Sequence, residues 1–127
     1  MFEQDYIMRL IKEIIRTILK LLFNIDMEAP TSELLENKEE KEVLETLLDM
    51  VDAGSIDEAE NKIFEIAAVK DKSNLEMILL FYSYLNDKSD DFLAENNFSR
   101  TEIKDDLKSI LSQYGLGSMA EIYLSQE

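Results

Sequence analysis

From Tyr6 onward the apolar residues recur at helical spacing. Placed at about 100° per residue, Ile7, Met8, Leu10, Ile11, Ile14, Ile15, Ile18, Leu19, Leu21, Leu22 and Ile25 cover about half of a helix circumference. Arg9, Lys12, Glu13, Arg16 and Lys20 crowd the opposite side. The pattern predicts an amphipathic helix over residues 1–25, with an apolar face wider than the ~100° stripe that suffices for docking on a core. Three arrangements would use that width. The helix could lie deep in the fold under later helices. It could pair with its copy in a second subunit, a homodimer contact through Ile7, Ile11, Ile14, Ile15, Ile18, Leu19 and Leu22. It could rest on a membrane surface, against which Glu3, Asp5 and Glu13 weigh. A spanning helix is excluded, because each charge in the apolar run would cost roughly 2.5–3.5 kcal/mol at mid-bilayer. Nor does the start read as a secretion signal, since it carries Glu3 and Asp5 and no charge-free core.

The pattern then breaks at Asn24, and residues 26–32 read as a linker around the single proline, Pro30, which biases Ala29 away from helix. Thr31 or Ser32 is placed to cap a second helix running to about Ala53, with Glu33 and Glu36 in its first turn. Its early part, Glu36–Glu42, has no apolar residue and is expected in solvent. Its later part is expected to bury Val43, Leu44, Leu47, Leu48 and Val51. Gly54 is a helix stop, and Ser55 with Glu58 spells a capping box for a third helix to about Val69, burying Ile56, Ala59, Ile63, Phe64, Ile66 and Ala67. Two amphipathic helices across so short a turn make a hairpin. Ser73 with Glu76 spells a second box, opening a helix to Asn86 that is apolar nearly all round from Leu75 to Leu85 and so belongs at the centre. Ser89 is expected to cap a short helix through Asn96 holding Phe92 and Leu93. Ser99 with Glu102 opens a helix to Tyr114 that buries Ile103, Leu107, Ile110 and Leu111. Gly115 stops it, and Gly117-Ser118 leads into a last short helix with Met119, Ile122, Tyr123 and Leu124. No stretch alternates with period two. The expectation is an all-α bundle of about five to seven helices in a single domain over 1–127, with acidic hairpins filling 33–127.

Charge sharpens this picture. The chain of 127 residues carries a net −15, distributed as +1 over residues 1–25 and −16 over the remainder. Such a surface repels nucleic acid, whose binding rests on cationic contacts to phosphates. With 46% hydrophobic residues the acid excess is compatible with a packed core. It gives solubility, and it would also steer a basic protein partner. The absence of cysteine excludes disulfides and fits a reducing, cytoplasmic setting.

Two resemblances follow from particular residues. Gly54, Ile56, the Glu58-Ala59 pair, Ile63 and Ala67 resemble the turn and second helix of a tetratricopeptide repeat, which implies one helical hairpin of the kind that stacks and presents a face to peptides. The opening Phe2-Glu3-Gln4-Asp5-Tyr6-Ile7-Met8-Arg9-Leu10-Ile11 resembles the start of a family of small bacterial helical proteins of unknown function, which implies fold and size and no activity. The polar cluster there, Glu3, Gln4, Asp5 and Arg9, reads as an N-terminal cap with an Asp5–Arg9 pair.

Candidate chemistry is sparse. Without histidine or cysteine there is no ordinary zinc site, no Ser-His or Cys-His nucleophile pair and no Glu-x-x-His di-iron motif. A magnesium-dependent all-α nucleotide hydrolase would pair Glu39 with Glu42, or Glu42 with Glu45, against carboxylates of the next helix, where Glu58-x-x-Asn61 and Glu65-x-x-Ala68 leave the set incomplete. A calcium loop aligned on Asp49–Glu60 places Val51 and Ala53 where oxygen ligands belong. The three glycines read as helix punctuation, and Met50, Met77 and Met119 as core filler. No catalytic, cofactor-binding or metal residues are assigned. The sequence is read as a non-enzymatic interaction or assembly module, self-associating through the first helix, with the hydrolase as the alternative and a peripheral membrane role third.

Overall fold

The computed structural model describes residues 2–26 and 30–125, with side chains from Asp5 onward; the middle of the expected linker and the side chains of Glu3 and Gln4 lie outside the described residues. Helix α1 (Phe2–Phe23) ends where Asn24 turns left-handed at φ 57°, and the Ile25 N–H closes back on the Leu19 carbonyl at 3.1 Å. The Asn24 N–H also returns to the Lys20 carbonyl at 3.2 Å, the bond of an αL stop, with asparagine in the position usually taken by glycine. Ile7, Leu10, Ile11, Ile14, Ile15, Ile18 and Leu19 are all buried. The helix packs against three others, α4 (Lys72–Asn86), α6 (Arg100–Gln113) and α7 (Gly117–Leu124), which accounts for the width of its apolar face. Burying seven large aliphatic side chains is worth on the order of 10–20 kcal/mol, offset largely by chain entropy.

The segment after Pro30 departs from expectation. Thr31 does cap a helix, but only a 3-10 turn, Ser32–Leu34, because Leu35 turns into the core in an extended conformation and breaks the run. Helix α2 (Lys38–Asp52) therefore starts later, and the Asn37 side chain accepts its cap bond from the Glu40 N–H at 3.0 Å. Gly54 takes φ 87° at the end of α2, and α3 (Ile56–Ala67) follows across Ala53–Ser55, forming the expected hairpin. Ser55 makes no side-chain cap bond: at ψ 54° it lies outside the extended region from which a cap hydroxyl reaches the first turn. The second expected box is also absent. Asp71 caps α4 by accepting from the Ser73 N–H at 3.1 Å, and Ser73 and Glu76 are released for other contacts. The third box is formed, with Ser99 and Glu102 bonded reciprocally at the start of α6. Between them lies α5 (Asp90–Glu95), capped by Ser89.

Helix α4 is the centre of the bundle, touching α1, α2, α3 and α6 and burying Leu75, every residue from Met77 to Tyr82, and Leu85. Val43, expected inside, is outside, and Ile122 and Val69 are also exposed. Val43 is 44% exposed, Ile122 64%, and Val69, which falls beyond the end of α3, 69%. The fold is an all-α bundle of seven α-helices among the described residues.

Candidate functional site

Val43 and Val69 line a depression on the surface. Where the first turns of α2 and α4 come side by side, they border two depressions that share Glu40 and are together called the groove here. One, about 590 Å³, runs under the end of α1 and the 3-10 turn, over Phe23, Ile25 and Leu34. The other, about 370 Å³, runs toward the end of α3 over Val43, Ile66, Val69 and Met77. Glu40 lines both. The second part is mainly apolar and the first mainly polar, and both carry carboxylates: Glu36, Glu40 and Glu76 in the first, Glu39, Glu40 and Glu65 in the second.

Local rules place some of these carboxylates. Glu39 and Glu40 sit in the first turn of α2, where a negative charge complements the helix dipole. Glu40 also accepts from the Ser73 hydroxyl at 2.8 Å, tying α2 to α4. Glu65 breaks the same rule, standing near the end of α3 where the helix presents negative charge. Burial, and then repulsion from Glu40 and Glu36, push the Glu76 carboxyl above its ordinary range. Elsewhere the surface charges are tied locally: Asp52 binds Lys88 and the Tyr84 hydroxyl, which hold it below the usual carboxylate range, while Lys41 pairs with Glu33 and Lys108 with Glu121. Among the described residues, Glu36, Glu39, Glu65 and Glu76 form no ion pair. The groove thus sets carboxylates without ion-pair partners beside apolar side chains, most of all along its second part.

A second acidic feature is internal. Glu60 on α3 is buried and accepts from the Tyr82 hydroxyl of α4 at 2.7 Å. Burial and a hydrogen bond from the protonated acid to Asp106 of α6 push it up to about 8. The trio joins three helices, and none of its members lines the groove. Its sequence signal is positional. Ile56, Glu60, Ile63 and Ala67 fall on one face of α3, so a glutamate in that series is a buried one. Arg100 follows the same logic one turn before Ile103. It is 2% exposed, donates to the Asn86 carbonyl at 3.0 Å, and is bonded to the Lys88 carbonyl and Asp90, which fastens α6 to the end of α4 and the start of α5.

The residues assigned from sequence to a self-association strip are placed otherwise. Ile7, Ile11, Ile14, Ile15, Ile18 and Leu19 are at most 6% exposed and covered by the chain's own helices; only Leu22 reaches the surface. The physical reason is that three later helices, α4, α6 and α7, cover α1. Glu42, Glu45, Glu58 and Glu65 are exposed, and among the described residues no set of three or more carboxylates is placed to hold a metal ion. No helix among them is long and apolar enough to cross a membrane.

Comparison with known proteins gives one match. A family model described as a family of unknown function (DUF6483) covers residues 1–115 of the chain. No curated protein and no solved structure matches it.

Proposed function

We propose that this chain, which belongs to the DUF6483 family of unknown function, is a non-enzymatic protein-protein interaction module whose groove takes a basic amphipathic helix of a partner. The single observation behind this is that the second part of the groove pairs an apolar floor, with Val43 and Val69 left 44% and 69% exposed, with Glu39, Glu40 and Glu65, which form no ion pair among the described residues. Helix capping explains Glu39 and Glu40 but not Glu65, and a polar rim round an apolar patch is how docking surfaces are built. Lysine and arginine stems would cover the valines while their heads meet the rim, the mode in which an amphipathic helix lies in a groove.

The test is fluorescence anisotropy with a labelled synthetic helix bearing lysines on one face and leucines on the other. Saturable binding that weakens with salt, and weakens about tenfold or more in Val43→Asp with fold retained, is expected. Binding insensitive to Val43→Asp and to Glu65→Lys would refute the groove, as would no binding.

A further inference from the structure

The field of the groove has its counterpart on the same molecule. On the outward side of α1, Arg9, Lys12, Arg16 and Lys20 are all exposed; Glu13 lies among them, and Asp26 pairs with Arg16 at 3.3 Å and Lys20 at 3.8 Å, which leaves Arg9 and Lys12 as the cations that carry the face. Arg9, Lys12, Glu13 and Arg16 frame a shallow depression of about 190 Å³ that shares no residue with the groove. This is the basic stretch of an otherwise acidic chain, +1 over residues 1–25 against −16 beyond. Arg9 and Lys12 form no ion pair among the described residues. Because its opposite side is locked into the core, α1 cannot turn this face onto its own groove.

We propose, building on the interaction reading above, that the groove's occupant is a second copy of this chain, whose α1 lays its basic face along the rim. Charge complementarity selects it: a cationic ridge and an anionic trough occur on separate surfaces of one chain, at equal concentration. The stems of Arg9 and Lys12 carry enough methylene length to cover Val43 and Val69. Each copy then offers one ridge and one groove, so the contact is heterologous and runs on head to tail or closes into a ring. The net −15 of each chain does not forbid this at moderate salt, because beyond a Debye length of about 10 Å at 0.1 M the remaining charges are screened from one another.

Sedimentation velocity and equilibrium on the full chain test it. In ~0.1 M salt the average mass should rise above that of one chain with concentration, and return to one chain near 1 M, where the Debye length is about 3 Å. Arg9→Glu with Lys12→Glu, or Glu39→Lys with Glu65→Lys, should each weaken association about tenfold or more, and mixing the two variants should restore it. Circular dichroism melts confirm that each variant is folded; both pairs lie on exposed helix positions. A strict monomer at all concentrations, association that survives both reversals, or a mixture that stays monomeric would each overturn the proposal. The synthetic basic helix separates the two claims: if it binds the groove of a chain that stays monomeric, only self-docking falls, and if it too fails to bind, the interaction reading falls with it.

Discussion

Replacing Glu60 with glutamine removes a carboxyl that the fold holds protonated, and it should make the protein more stable at neutral and alkaline pH. The folded state lifts this group from 4.5 to about 8, first by burial and then through its bond to Asp106. Between those two values the unfolded chain has released the proton and the folded chain has kept it. Stability contributed by this site is therefore intact below pH 4.5, drains by about 1.4 kcal/mol per pH unit as pH rises, and levels off above pH 8. The full loss is on the order of 5 kcal/mol, a large share of the 5–15 kcal/mol typical of a domain, and about 3 kcal/mol is already gone at pH 7. Glutamine keeps the geometry: its carbonyl accepts from the Tyr82 hydroxyl and its amide donates toward Asp106, so the hydrogen bonds survive while the titration does not. Urea unfolding of both proteins at pH 5, 6, 7 and 8 isolates the effect of the Glu60–Asp106 site, since carboxylates remote from it cancel in the difference. The difference should grow in favour of Glu60→Gln with each step up to pH 8. A flat difference, or a variant less stable than the parent at pH 8, would refute a buried, protonated Glu60.

Two further substitutions test the frame that holds the groove. Arg100→Met should cost about 3–5 kcal/mol in the same unfolding assay, because the carbonyls of Asn86 and Lys88 lose a buried charged donor; a loss below 1 kcal/mol would contradict the role of Arg100 as a fastener. Gly54→Ala should cost about 1–2 kcal/mol, since φ is 87° and the added methyl would lie 2.5 Å from the Asn96 Oδ1, which must move. A thermal melt unchanged by Gly54→Ala would remove that constraint.

What could be read from the sequence divides by range. Features fixed by neighbours along the chain were legible: the Ser99–Glu102 box, the stops at Gly54 and Gly115, and the all-round apolar run that puts α4 at the centre. Short motifs in competition were not. Ser73 with Glu76 spells a box, yet Asp71 two residues earlier takes the cap, and both residues then face α2. Thr31 caps as its type suggests, but the pull of Leu35 into the core limits the result to one turn. The half-circumference of apolar residues on α1 was correctly seen, while its cover came from α4, α6 and α7, helices that follow much later in the chain. The groove was hidden for the same reason. Glu36 and Glu40 meet Ser73 and Glu76 only through packing, and Val43 sits in a helical register that suggests burial until α4 is placed beside it. Glu60 and Arg100 could have been found, since both fall in apolar helical series.

Nuclear magnetic resonance shift mapping of the labelled chain, titrated with the synthetic basic helix, addresses the groove most directly. Shifts concentrated in residues 36–43, 65–69 and 73–77, reversed by salt, are the expected result. Shifts spread evenly over the acidic surface, or confined to α6 and α7, would contradict a docking groove between α2 and α4.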